Sequence, residues 1–371
     1  MVLLGPVWAD NVPASQPPPG DSLSQGLWWL YQLQYEKARA LFDDYAHSHP
    51  KDAAGYFYKT ATDWWQLAQQ FEFKLPKIEE RLEQDYQDTV RVGKAQLENA
   101  TSDHDRGLAC LYWGGAEGLN GRWLVTQKEW RRAYFMGKRG NNLLHRALTY
   151  DPTLYDAYMG IGIYDYFTDT LSGVVGALAH LLIHGDRKRG LQELQTAIDK
   201  SPHARVESMI FLIEIYTSEE HTPEKALPLT QQLHQEFPTS PAMHLAEIMA
   251  YYGMKSWTNV EEESQKFLEL SQQEKPWYTR EGVPPALYCL GVTELWGRHD
   301  PDRAMPYMTQ ILNGGIDESR WVTFAYLRQG QIYDSKGDRQ KALADYQAVL
   351  ARPEIWGSHG EAKQYIDQPY R

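Results

Sequence analysis

Residues 323–353 read TFAYLRQGQIYDSKGDRQKALADYQAVLARP, and the order of residue types in that stretch decides the fold. Counting from Thr323, an aromatic falls at the fourth position (Tyr326), a glycine at the eighth (Gly330) and an aromatic at the eleventh (Tyr333). Alanine follows at the twentieth (Ala342), an aromatic at the twenty-fourth (Tyr346), and Pro353 closes the unit. Gly330 and Ala342 are small enough to let two helices approach, and the aromatic rings fill the space between them. Proline ends the second helix because it has no backbone donor to continue it. Lys336, Gly337 and Asp338 supply the turn. The unit is therefore a helix–turn–helix of about 34 residues.

The same grammar recurs. Gly26, Trp29, Ala38, Phe42 and Pro50 repeat it near the start, and Ala226, Leu233 and Pro238 repeat it in the middle. Leu287, Leu290, Gly291, Ala304 and Met308 form the unit before the last. Strand signals are absent. The spacing predicts an all-α, tetratricopeptide-like solenoid of helical hairpins, wound as a right-handed superhelix of about seven to nine pairs. In such an array each unit packs on its neighbours alone, so a chain of 371 residues need not divide into globular domains.

Composition narrows the function classes. Aromatics reach 13%, with 13 Trp and 24 Tyr, which suits bulky rings between helices. A net charge of −12 argues against broad nucleic-acid binding, which needs a basic face. Cys110 and Cys289 lie in separate apolar stretches without a zinc spacing or a CxxC motif. They read as two buried free thiols, with a long-range disulfide as the alternative. No apolar run reaches the roughly 18 residues of a membrane span.

Residues 1–9 (MVLLGPVWA) resemble the tail of a secretory signal, with Val7 and Ala9 at the positions a signal peptidase reads. The expectation is export, to a periplasm-like compartment, with a cytoplasmic location as the alternative. Residues 10–21 hold Pro13, Pro17, Pro18 and Pro19 and read as a tether. Residues 22–371 form the solenoid. Long helices are expected at 79–100, 105–124 and 127–149. The unit opening at Thr153 carries an apolar insertion, 171–183, of the wrong length for a standard repeat. It is expected to fold back as a short helix near Tyr164.

One stretch goes beyond the generic pattern. Gly114, Gly115, Gly118 and Gly121 lead to Trp130, Ala133, Gly137 and Lys138. Then come Tyr155, Gly160, Gly162, Tyr164 and Tyr166, followed by Gly185, Asp186, Arg187 and Gly190, with Arg205 and Glu207 beyond them. This stretch, about 108–241, resembles a group of exported bacterial tetratricopeptide-repeat proteins. It is more distantly similar to the eukaryotic tetratricopeptide-repeat 39 and inclusion-body-clearance proteins. The resemblance implies a scaffold role and supplies no catalytic residues and no cofactor.

Candidate sites follow from repeat geometry. Positions two, five, nine and twelve of each first helix should line the concave groove. They are Leu154, Ala157, Ile161 and Tyr164; Pro285, Tyr288, Val292 and Leu295; and Phe324, Leu327, Gln331 and Asp334. The groove residues expected to meet a partner are Ala157, Ile161, Tyr164, Tyr288, Val292, Leu327 and Gln331. The lining is apolar and aromatic, which suits an extended apolar peptide or a neighbouring part of this same chain, and not a carboxylate clamp. Asp186, Arg187, Arg205 and Glu207 form a candidate charged contact, in which a carboxylate within the fold, such as Glu207, is expected to answer the basic residues after Asp186, with an acidic ligand as the alternative. Arg131, Arg132 and Lys138 stand in a basic stretch and could touch an anionic surface. The glycines at 114, 118 and 121 read as a packing face, since no strand and no lysine of a phosphate loop accompany them. His180 and His184 lack a third ligand, so no metal site is expected.

Two functions remain. The first is a non-enzymatic scaffold that holds protein segments in its groove. The alternative is a helical-toroid enzyme acting on glycans, with Asp165, Glu207 and Glu214 as candidate acids. Alanine and proline recurring at repeat offsets favour the scaffold.

Overall fold

The computed structural model describes residue 17 and residues 20–68, 75–170, 186–275, 277–315 and 319–371. Residues 1–9, most of the tether, the apolar insertion and His180 and His184 lie outside them.

Seventeen α-helices run through the described residues, and no strand occurs there. They are α1 (Ser22–Tyr31), α2 (Tyr35–Ser48), α3 (Ala53–Ala68), α4 (Pro76–Asn99), α5 (Asp103–Thr126) and α6 (Trp130–Tyr150). Next come α7 (Ala157–Thr170), α8 (Arg187–Lys200), α9 (Arg205–Glu214), α10 (Pro223–Glu236), α11 (Pro241–Gly253) and α12 (Trp257–Gln272). The last are α13 (Val283–Val292), α14 (Pro301–Asn313), α15 (Ser319–Ser335), α16 (Arg339–Leu350) and α17 (Ser358–Asp367). Consecutive helices pair as eight hairpins, and α17 covers the last.

Local chemistry sets the helix ends. Asp21, Ser102, Asp186, Asp300 and Asp338 each accept a hydrogen bond from an amide in the first turn that follows. Proline opens α4, α10, α11 and α14, where its missing donor costs nothing. Helix α6 starts at Trp130, later than the spacing suggested, because Lys128 is left-handed (φ 60°) and makes the turn. The same left-handed step recurs at Leu33, His221, Lys255, His299 and Gly337. Only the last of these is the glycine that such a backbone favours.

The repeat glycines seat a large side chain from the partner helix. Gly26 lies under the Phe42 ring and Gly291 under Met308, and a methyl at Gly330 would sit 2.5 Å from the Tyr346 ring. Between α5 and α6 the contact is backbone to backbone, since a methyl at Gly140 would lie 2.9 Å from the Gly114 carbonyl oxygen. The packing expectation for that glycine face holds at Gly114 and Gly121, while Gly118 faces open space. Cys110 and Cys289 are both buried and free, and burial pushes the Cys289 thiol up to about 12.

The expectation that each hairpin touches only its neighbours fails. The end of α1 meets the α10–α11 connection, 209 residues later, where Ser240 Oγ donates to the Tyr31 carbonyl at 2.7 Å. Thr239 Oγ1 donates to Gln32 Oε1 at 2.8 Å beside it. Tyr31 packs on Phe237 at 5.6 Å and Trp29 on Trp277 at 6.2 Å, with the Lys37 ammonium over both Trp29 and Trp277. The first five hairpins thus close on themselves, and one hydrophobic core runs from Leu23 to Met243. A second core starts at Ile248 on the same α11 and runs through the remaining hairpins to Ala362.

One carboxyl on the last hairpin opposes folding. Asp345 on α16 is half-buried, its Oδ2 has no hydrogen-bond partner, and burial raises its pKa to about 7. Its unfolded value is the lower one, so the native state holds the proton longer and stability falls as pH rises from 4 to 7. Asp345→Asn should therefore stabilise the protein at pH 8 by about 2 kcal/mol, the full linkage value being trimmed by solvent access. Parallel denaturant titrations should show that gain vanish near pH 4. Equal stability of the two proteins at pH 8 would refute the burial argument.

Candidate binding surface

Ala157, Ile161, Val292 and Leu327 are wholly buried, and Tyr288 and Gln331 nearly so. Tyr164 alone of the seven expected groove residues is half-exposed. Their apolar character comes from the packing of first helix on first helix, α7 on α5 and α9, α13 on α15, and α15 on α17. A side chain without exposed surface offers a partner little, so the contact surface must be sought among their neighbours.

Inside the closed half, aromatic and charged side chains fill the concave face. The Trp65 indole donates to Glu207 Oε2 at 2.9 Å, and the Arg122 guanidinium lies over Trp64 (4.6 Å) and Phe211 (4.5 Å). Burial pushes the Glu207 carboxyl up against the opposing effect of Arg122. Carboxylates of the fold do answer the basic residues after Asp186, but Glu207 is not one of them. Arg187 pairs with Glu220, Arg189 with Asp165 at 2.5 Å, and Arg205 with Glu236. Asp186 caps α8. The charged group is thus consumed by helix-to-helix ties, and Asp165 and Glu207 are engaged as well.

The second half is different. A row of aromatic rings crosses its hairpins in steps of 5.4 to 6.5 Å, from Trp257 through Trp296, Tyr252, Tyr288 and Phe324 to Trp356, with Trp321 against Tyr288. Arg328 organises it. Its guanidinium lies over Trp296 at 4.6 Å and Phe324 at 5.7 Å, and donates to Tyr288 Oη (3.1 Å) and to both Glu361 oxygens (3.0 and 3.3 Å). Burial opposes its charge, but Tyr288 and Glu361 outweigh that and hold its pKa above the ordinary arginine value. Trp356, at the far end, is 70% exposed.

At the near end the row opens into two clefts on either side of Trp257. One, of about 470 Å³, is lined by Lys255, Ser256, Thr258, Asn259, Thr293, Gly297 and Arg298 around the Trp257 ring. The other, of about 370 Å³, is lined by Tyr252, Gly253, Lys255, Trp257 and Trp296. Tyr252, Trp257 and Trp296 are each half-exposed. A π-helical turn, Thr293–Gly297, ends the first helix of the next hairpin and carries Trp296, and such turns often mark functional positions. Gly297 is required there, since a methyl would lie 2.7 Å from the Trp257 ring. The sequence did hold a signal for this site. An aromatic stands three residues before the left-handed turn residue in both hairpins, Tyr252 before Lys255 and Trp296 before His299.

Among the described residues no cluster of three or more His, Cys, Asp or Glu is arranged to hold a metal. No described helix is long and apolar enough to cross a membrane.

A family model described as a tetratricopeptide repeat matches residues 324–354, the last complete hairpin. No curated protein matches the sequence. Among solved structures the chain is similar to yeast Tom70, with 9% identity over 93% of this chain and 87% of that one and a TM-score of 0.43. It is also similar to an IFIT1 monomeric mutant with Gppp-AAAA, with 14% identity over 93% of this chain and 70% of that one and a TM-score of 0.37. The human IFIT1 dimer with m7Gppp-AAAA gives 13% identity over 89% and 71%, with a TM-score of 0.33. The chain is an all-α helical-repeat protein that carries a tetratricopeptide repeat.

Proposed function

We propose that the chain is a non-enzymatic scaffold that binds an extended peptide segment of another protein at the near end of the aromatic row of its second half, where Tyr252, Trp257 and Trp296 reach the surface. The observation that carries this reading is the half-exposed Tyr252, Trp257 and Trp296, set between two clefts at a hairpin edge. Aromatic side chains in a shaped recess are the usual anchors of protein interfaces, because they bury a large area at little entropic cost. The rim of Lys255, Asn259 and Arg298 can position the peptide's polar groups, while apolar side chains enter the clefts. The closed first half acts as the rigid base. Trp64, Trp65, Arg122 and Phe211 pack together inside it, so the clefts beside Trp257 are the recesses this reading gives to the partner.

Peptides selected on the intact protein from a random library should be enriched in aromatic and large aliphatic residues. Trp257→Ala should weaken the best of them at least about tenfold. Unchanged affinity of every selected peptide for that variant would reject the site.

A further inference from the structure

The turn between α5 and α6 carries a second surface. Val125, Trp130 and Phe135 are exposed by 44%, 55% and 62%. They are three of the five large hydrophobic side chains exposed among the described residues, and they fall within eleven positions. Lys128, Arg131, Arg132 and Lys138 stand exposed between and beside them. Arg132 pairs with Glu129 at 2.6 Å, whereas no carboxylate lies within ion-pair distance of Lys128, Arg131 or Lys138 among the described residues. At 100° per residue, Arg131, Tyr134, Phe135 and Lys138 form one stripe on α6, and Trp130 sits one turn ahead of Tyr134. The fold gains little from this arrangement. Arg131 and Arg132 lie at the positive end of the α6 dipole, where no side chain caps the helix. Cations and apolar rings held at a local cost, on a chain of net charge −12, point to something outside the chain.

We propose that this turn is a peripheral membrane-contact site for bilayers containing anionic phospholipid. Trp130, Phe135 and Val125 enter the boundary between headgroups and acyl chains, and Lys128, Arg131 and Lys138 meet lipid phosphates. Indole and phenyl rings favour that boundary, and unpaired basic residues beside them supply the preference for negative lipid. The surface is a single stripe at a helix start and not a groove that tracks a strand, which sets it apart from a single-stranded nucleic-acid site.

The test is co-sedimentation of the intact protein with vesicles of phosphatidylcholine alone and of phosphatidylcholine with phosphatidylglycerol. Binding should require the anionic lipid and weaken as salt is raised. The double variant Arg131→Glu with Lys138→Glu should lower it at least about tenfold, and so should Trp130→Ser with Phe135→Ser. These side chains are exposed, so both variants should keep the parent's far-ultraviolet circular dichroism and melting temperature. The proposal is overturned if anionic vesicles are not preferred or if both variants bind as the parent does. It is also overturned if the variants instead abolish binding of a single-stranded oligonucleotide, or self-association of the protein, while vesicles are ignored.

Discussion

Gly190→Val should lower stability by about 3 kcal/mol or more, and the melting temperature by roughly 4 °C or more. Helices α7 and α8 cross at two glycines. A methyl at Gly190 would lie 2.7 Å from the Gly162 carbonyl oxygen and 2.7 Å from the Tyr166 amide nitrogen, and one at Gly162 would lie 2.8 Å from the Gly190 oxygen. Those neighbours are backbone and cannot rotate away, so the helices must separate and open the contact around Tyr166 and Leu194, both buried. Gly160 in the same motif is a milder case. A methyl there meets only the Cδ1 end of Leu144, which can swing aside. Gly118→Ala is the control, because nothing lies within 4 Å and mid-helix alanine should add about 0.5–1 kcal/mol. Calorimetry on the three proteins checks this. Equal melting temperatures for Gly190→Val and the parent would mean that α7 and α8 do not touch there.

Asp63→Ala should cost about 3–5 kcal/mol. Asp63 is wholly buried on α3 and accepts from Arg39 Nη1 at 2.9 Å and Arg81 Nε at 2.8 Å, tying α2 and α4 to α3. Arg39 Nη2 also reaches Asp85 at 2.6 Å, and Asp85 reaches Lys59 at 3.3 Å. Removing the Asp63 carboxylate leaves two cations facing an empty, water-poor site, and that penalty exceeds the worth of the pair itself. Replacing Asp63, Asp85, Arg39 and Arg81 together by apolar residues of similar volume should cost much less than the single change, since Lys59 keeps Asp43 as its partner at 2.7 Å. Urea titrations of the single and quadruple variants distinguish the two. A single variant as stable as the parent would show that water reaches the site freely.

What could be read from residues alone was the content of each hairpin. Gly330 with Tyr346 and Gly26 with Phe42 sit sixteen positions apart in both units, because the contact lies inside one helix–turn–helix and its geometry is local. The meeting of Tyr31 with Ser240 was not legible. It depends on small rotations between successive hairpins that accumulate over five units, and no residue type encodes their sum. The burial of the expected groove positions has a more local cause. The positional rule behind Ala157, Ile161, Val292 and Leu327 assumes first helices that splay apart, whereas here they pack on one another and bury those positions. The pairing of Arg187 with Glu220 in place of Glu207 does follow from the closure, since the closed first half draws Glu207 to Trp65. The clefts beside Trp257 are built from two hairpins, with Trp257 opening a helix in one and Trp296 ending a helix in the next. Their aromatic residues were visible in composition, but their convergence was not.

Hydrogen exchange of the intact protein, with and without a saturating selected peptide, tests the central claim most directly. Binding at the near end of the aromatic row predicts slowed exchange at residues 251–259 and 293–298, with residues 22–68 and 203–216 unchanged. Slowed exchange confined to the closed first half, or none anywhere despite measured binding, would contradict it.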